Sequence, residues 1–175
     1  MQEAPFPRIE IVEGLMVNAM KNVFSTMLSR NLEFKARYSR EKAGIKPFYS
    51  LGTKDPLVVG SIGFVGEANG VVYIYMHQDV AFQIASAMTG MDVAELKGEF
   101  EIVKDVVGEV SNMTIGTFKN GLCDLGFNCR VTLPTVLRGS QMEVDSIQSA
   151  SRETFHFDFQ GQPVVMDLFI QENSN

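Results

Sequence analysis

The chain has 175 residues, of which 45% are hydrophobic, so it is long enough to fold as one domain around a sizeable core. Its formal net charge of −6 argues against a protein whose main task is to bind nucleic acid or an anionic membrane surface. The first ten residues carry prolines and acidic residues instead of the basic and apolar stretches of a signal peptide, and no apolar run approaches the ~20 residues that span a bilayer. We therefore expect a cytoplasmic protein without membrane insertion.

The first half of the chain predicts a long helix, three strands and a short helix. Apolar residues recur at steps of three and four between Val12 and Leu28, which is typical of an amphipathic helix. Three segments with strand composition follow at 32–38, 58–65 and 71–76, and a hairpin-like turn joins the last two. Residues 78–88 then predict a short helix that Gly90 closes.

The second half predicts another long helix followed by strands. The helix is expected from Glu99 to about Lys119, because acidic residues occupy its first turn and Asn120 and Gly121 follow its end. Segments 125–133, 154–159 and 164–170 predict strands.

The two halves resemble each other at an offset of about 90 residues. The segment LEFKAR at 32–37 matches LGFNCR at 125–130, and Asn22-Val23 in the first helix matches Asn112-Met113 in the second. We therefore predict a single domain, 1–175, built from pseudo-repeated halves at about 8–97 and 98–171. The fold class would be α+β, a mainly antiparallel sheet with two long helices packed on one face.

One side of the second long helix is polar. At 100° per residue, an arc of about 100° contains Asp105, Gly108, Glu109, Asn112 and Gly116, and the apolar residues occupy the other side. Asp105 and Glu109 are like charges four residues apart, and such a pair destabilises a helix by a few tenths of a kcal/mol. Each glycine inside a helix costs about 1 kcal/mol relative to alanine.

This polar side has two interpretations that the pattern alone leaves open. The glycines would be explained if another molecule's backbone approached the helix closely, since glycine has no side chain to stand in the way. Alternatively, Asp105, Glu109 and Asn112 form an ordinary solvated surface, and Gly108 and Gly116 pack against a neighbouring helix of the same chain.

Other residues that could carry chemistry are interpreted as structural. His77 and His156 have no second ligand at metal spacing, and Cys123 and Cys129 form neither a CxxC motif nor a group with a histidine. The two thiols are expected to act as small buried apolar side chains. We expect no metal site in this chain.

The chain resembles the CheX-like members of the CheC/CheX/FliY family of chemotaxis phosphatases. The resemblance rests on Asp105-x-x-x-Glu109-x-x-Asn112-Met-x-x-Gly116, on Pro134 about twenty residues later, and on the first-helix segment VNAMKNVFSTML. The similarity runs through most of the chain in the same order.

The resemblance implies a phosphatase that removes the phosphoryl group from a CheY-like receiver domain. Glu109 would pair with the active-site lysine of the receiver, Asn112 would orient the attacking water, and Asp105 would support them. The aspartyl phosphate and Mg²⁺ would belong to the receiver, so the chain would need no cofactor of its own. In the first helix, Ala19 stands where a second glutamate would precede Asn22, so we expect one phosphatase site in the chain. The resemblance also implies a homodimer.

Two other functions remain open from the sequence. The same fold could be a non-catalytic adaptor that binds a receiver domain or a flagellar-switch component. A small-ligand sensor would instead require a concave apolar pocket, which a sequence does not show.

Overall fold

The first helix, α1, packs its apolar side into the core as its periodicity predicts. The structure, a computed structural model, describes residues 6–39, 56–140, 142, 144 and 150–171. Helix α1 spans Ile9–Leu28, with Val12, Met16 and Phe24 fully buried. Ser29 ends the helix in the left-handed conformation at φ 50°.

In the part of the chain that the structure describes, seven antiparallel strands form one sheet. They are β1 (Glu33–Ser39), β2 (Leu57–Gly66), β3 (Asn69–His77), β4 (Cys129–Val131), β5 (Thr135–Gly139), β6 (Ala150–Phe159) and β7 (Gln162–Gln171). The order across the sheet is β1-β6-β7-β3-β2-β4, and β5 pairs with the other end of β2. The α+β class and the mainly antiparallel sheet are therefore confirmed.

The strand order is symmetrical with respect to the two halves of the chain. Strands β1, β2 and β3 of the first half correspond to β4, β6 and β7 of the second half. When each strand is exchanged for its counterpart, the strand order is unchanged if it is read from the opposite edge of the sheet. The two long helices, which correspond under the same exchange, are in contact with each other. This symmetry agrees with the weak repeat in the sequence, and the boundaries of the halves stay a prediction.

Three further helices lie between β3 and β4. They are α2 (Gln78–Thr89), α3 (Val93–Leu96) and α4 (Phe100–Asp124). Helices α1, α2 and α4 share one apolar core with the same face of the sheet, which confirms that the long helices lie on one face. Sheet residues in this core include Val58, Ile62, Phe64, Val72, Ile74, Phe157 and Met166.

The predicted end of α4 is wrong. The helix continues past Lys119 to Asp124, and Gly121, expected to stop it, lies within the last turns. A Cβ atom at Gly121 would lie 2.5 Å from a methyl carbon of Leu15 on α1. Gly121 therefore allows the close approach of the two long helices, and Gly126, at φ 93°, follows the actual helix end.

The strand predicted at 125–133 is also largely wrong. Residues 125–128 form a turn in which the Phe127 amide donates to the Leu122 carbonyl, so only Cys129–Val131 pair as β4. Strand β5 and helix α3 were not predicted from the sequence. The signal for α3 was the spacing of Asp92 and Glu95, which form a capping box at its N-terminus.

The opposite face of the sheet has a small core of its own. Leu57, Val59, Tyr75 and Val165 are buried there. The fully buried carboxylate of Asp167 accepts hydrogen bonds from Tyr75, Arg152 and Thr154. All three donors thus converge on one carboxylate, whereas the buried Nε of Arg152 has no hydrogen-bond partner among the described residues.

Candidate functional site

Helix α4 displays the polar residues that the sequence analysis singled out. Asp105 and Glu109 are exposed and Asn112 is half-buried, whereas Val107 and Phe118 on the other side are fully buried. Glu109 and Asn112 are three residues apart, so their Cβ atoms lie about 5–6 Å apart on the helix surface. The structure therefore presents a carboxylate and an amide next to each other.

The side chains of Glu109 and Asn112 are not engaged within the chain. Among the residues that the structure describes, neither has a hydrogen-bond or ion-pair partner. The nearby cation Lys104 is paired with Glu101, which raises the pKa of the lysine. Glu109 and Asn112 are thus both available to a group outside the chain.

Two residues with hydroxyl side chains, Ser111 and Thr114, are buried behind this polar side of α4. Ser111 donates to the Val107 carbonyl at 2.8 Å, and a Cβ at Gly60 on β2 would overlap the Ser111 oxygen. Thr114 donates to the Val110 carbonyl at 2.8 Å and lies 3.8 Å from the sulfur of Met20 on α1. Ser111, directly before Asn112, and Thr114, two residues after it, are therefore both packed in the core.

Gly108 does not leave open space for a partner. The residue is buried, and a Cβ there would lie 3.8 Å from Pro134 Cγ and 3.7 Å from Val136 Cγ2. The interpretation of Gly108 as clearance for another molecule is therefore wrong, because the chain's own β4–β5 connection covers it. Pro134, which the sequence motif includes, is brought against α4 next to Glu109.

Gly116 differs from Gly108. The residue is half-buried, and no atom lies within 4 Å of a Cβ built at this position. A methyl group there would face open space at the end of the polar side. Packing within the described chain therefore does not explain the glycine.

The first helix lacks the corresponding pair. Ala19 is fully buried, whereas Asn22 is exposed. A side chain at residue 19 would point into the core, not toward a partner beside Asn22. The position of Ala19 agrees with the expectation of a single site.

The histidines and cysteines are all at least partly buried. Burial lowers the pKa of His156, whose ring lies edge-on to Tyr38 with centroids 5.0 Å apart. Cys129 is buried, which raises the pKa of its thiol, and Cys123 is half-buried. Across the described part of the chain, no three His, Cys, Asp or Glu side chains are grouped so that they could hold a metal ion.

A groove of about 640 Å³ lies on the sheet face opposite to α4, lined mainly by Val65, Val71, Tyr73 and Phe169. It is separate from the polar side of α4.

None of the helices in the described ranges is long and apolar enough to cross a membrane.

Comparison with known proteins gives concordant matches. The curated relative "CheY-P phosphatase CheX" of Thermotoga maritima is 31% identical over 90 residues, which are 51% of this chain and 56% of the relative. The match thus spans little more than half of that relative's length.

Two solved structures share the fold. A Vibrio vulnificus chemotaxis protein CheX is 25% identical with a TM-score of 0.74, over 91% of this chain and 99% of that one. CheX in a CheX–CheY–BeF₃–Mg²⁺ complex from Borrelia burgdorferi is 23% identical with a TM-score of 0.72, over 95% and 99% of the two chains. Residues 58–159, more than half of the sequence, match the family model for chemotaxis phosphatase CheX, and the chain therefore belongs to the CheX family.

Proposed function

We propose that the chain accelerates hydrolysis of the aspartyl phosphate on a CheY-like receiver domain. The observation that carries the proposal is the pair of unengaged side chains, Glu109 and Asn112, on a helix whose other side is buried in the core. A curated relative is named as a CheY-P phosphatase, and a structural neighbour was solved in complex with CheY. Both names agree with a receiver as substrate.

Glu109 would bind the lysine of the receiver's active site. Its carboxylate is exposed and unpaired in the described chain, so it can form an ion pair without first losing an internal partner. Such a contact fixes the register of the two proteins, because a charge-assisted hydrogen bond is directional.

Asn112 would hold the water that attacks the phosphorus. Its amide can accept a hydrogen bond from water and donate one to a phosphoryl oxygen. Phosphoryl transfer depends mainly on positioning and charge stabilisation, and a side chain that holds water in line supplies the positioning. The close packing of Ser111 against Gly60 and the burial of Thr114 would keep the amide in place.

The remaining parts have supporting roles in the proposal. Asp105 lies one helical turn before Glu109 and would orient the pair or contact the rim of the receiver. The receiver would bring the Mg²⁺ and the aspartyl phosphate, and the chain would supply no cofactor. The proposed assembly is a homodimer, which light scattering during size-exclusion chromatography would test.

The decisive experiment is dephosphorylation of a panel of phosphorylated receiver domains from the same organism. Asn112→Ala should lower the accelerated rate by about 100-fold or more, because the water loses its positioning group. Asn22→Ala is the matched control, since it makes the same change at an exposed position of the related helix α1. The control should retain full activity.

Two results would contradict the proposal. If Asn112→Ala is as active as the wild type, the amide does not position the water. If the wild type binds a receiver but does not accelerate loss of its phosphate, the chain is an adaptor.

A further inference from the structure

The most exposed large apolar side chain of the described residues lies beside the polar side of α4. Leu133, in the connection between β4 and β5, is 88% exposed. A single exposed leucine is common on protein surfaces. Two further features distinguish Leu133: its backbone is held firmly, and its neighbour in the chain contacts α4.

Hydrogen bonds hold the residue before Leu133. The Thr132 amide donates to the Gly63 carbonyl at 2.8 Å, and the Thr132 hydroxyl accepts from the Gly63 amide at 2.9 Å. The same hydroxyl lies 3.2 Å from the Leu133 carbonyl, to which it donates. The connection is therefore fastened to β2 immediately before the leucine.

The residue after Leu133 is held as well. Pro134 has a fixed φ angle and restricts the residue before it to extended conformations. Its ring lies over Gly108, and β5 begins at the next residue with Thr135 opposite Ser61. A leucine presented in this way loses little backbone entropy when it is buried by a partner.

The position of Leu133 connects it to the catalytic pair. Gly108, under Pro134, immediately precedes Glu109 and lies one helical turn before Asn112. Consecutive Cα atoms are 3.8 Å apart, so Leu133 stands directly beside this contact. A protein that covers Glu109 and Asn112 would therefore also cover Leu133.

We propose that Leu133 is the apolar anchor that docks the receiver domain. The inference rests on the proposed function, because it takes the receiver as the occupant of this surface. The receiver would offer an apolar recess near the lysine that meets Glu109. Interfaces commonly combine a buried apolar anchor with charged groups around it, and such anchors carry much of the binding free energy.

Leu133→Ala tests the proposal, with Leu125→Ala as the matched control. Leu125 is also an exposed leucine, 45% exposed, but it lies at the C-terminal end of α4, about 24 Å along the helix from Glu109. Both variants are expected to fold, since neither side chain is buried. Affinity is measured by calorimetry with receivers activated by beryllofluoride and Mg²⁺, and turnover is measured with phosphorylated receivers.

Leu133→Ala should weaken receiver binding about tenfold and raise KM by the same factor, with kcat changed by less than about twofold. Leu133→Met, which conserves volume, should restore most of the affinity. Leu125→Ala should behave like the wild type. This pattern differs from that of Asn112→Ala, which lowers kcat.

Equal affinities for Leu133→Ala and Leu125→Ala would overturn the inference. A changed oligomeric state with unchanged receiver affinity would overturn it too, because Leu133 would then belong to a contact between copies of the chain. If the wild type binds receivers without hydrolysing their phosphate, the proposed function fails and the affinities still decide the role of Leu133. If it binds no receiver, both proposals fail.

Discussion

The hydroxyl of Ser111 on α4 occupies the space that a Cβ atom at Gly60 on β2 would require. Helix and sheet therefore approach each other closely behind the polar side of α4. Because Asn112 follows Ser111 in the chain, the depth at which α4 lies on the sheet also sets the position of the amide.

Gly60→Ala should lower the free energy of unfolding by about 1–3 kcal/mol, since the added methyl group overlaps the Ser111 hydroxyl. Urea unfolding measures the change. Adding Ser111→Ala should recover part of the loss, because the remaining Cβ of residue 111 lies 3.3 Å from the new methyl position and needs only a small shift. A Gly60→Ala protein as stable as the wild type would contradict the close contact.

Gly116→Ala should raise stability by up to about 1 kcal/mol, because the position is helical and a methyl group would meet no atom within 4 Å. If a receiver docks closely here, the same variant should bind it more weakly. Gly14→Ala is the matched control, since Gly14 lies inside α1 with equally open surroundings. It should gain similar stability and bind the receiver unchanged. Thermal unfolding and calorimetry measure the two effects, and unchanged receiver binding by Gly116→Ala would exclude close docking at this glycine.

Asp167→Asn should destabilise the protein by about 3 kcal/mol, because Arg152 would remain largely buried without its counter-charge. Replacing Arg152 with Met in the same protein should recover much of this loss. Glu33→Gln breaks the exposed pair with Lys35 and should cost less than about 0.5 kcal/mol. Equal effects at both pairs in chemical unfolding would show that burial of Asp167 does not matter.

The stability should fall as the solution is acidified through the range in which His156 titrates. Burial lowers the pKa of His156 below its ordinary value of 6.5, although the nearby Asp167 carboxylate acts in the opposite direction. The unfolded chain then binds the proton first, so the free energy of unfolding decreases as the pH falls through about 6.5. His156→Gln should show a smaller loss between about pH 7.5 and 5.5. An imidazole that titrates at or above 6.5 by NMR would contradict this prediction.

Local patterns predicted the elements whose signals lie within their own segments. The periodicity of α1 and the buried side of α4 follow from spacing alone, and residues 58–76 carry both strand composition and turn residues. The side of α4 that carries Glu109 and Asn112 was predicted for the same reason. Their assignment to catalysis came from a resemblance, because the pattern equally suits a solvated helix.

The errors arise where a tertiary contact overrides a local signal. Glycine commonly follows a helix end, but Gly121 lies inside α4. Its lack of a side chain allows close contact with Leu15, which is more than one hundred residues away in the sequence. Gly108 was expected to face a partner, and Pro134 covers it instead. Strand β5 is short and mostly exposed, so its pairing with β2, not its composition, defines it.

The symmetrical strand order separates β1 from the other strands of its own half. Within the described ranges its one neighbour in the sheet is β6, whose first residue follows the end of β1 by about 110 residues. At about 5–20 residues per second, a ribosome would need roughly 5–20 s to synthesise the partner of this strand. During that interval the edge of β1 in a nascent chain is unpaired. The charged residues Glu33 and Lys35 on β1 would hinder its pairing with strands of other chains until β6 has been synthesised.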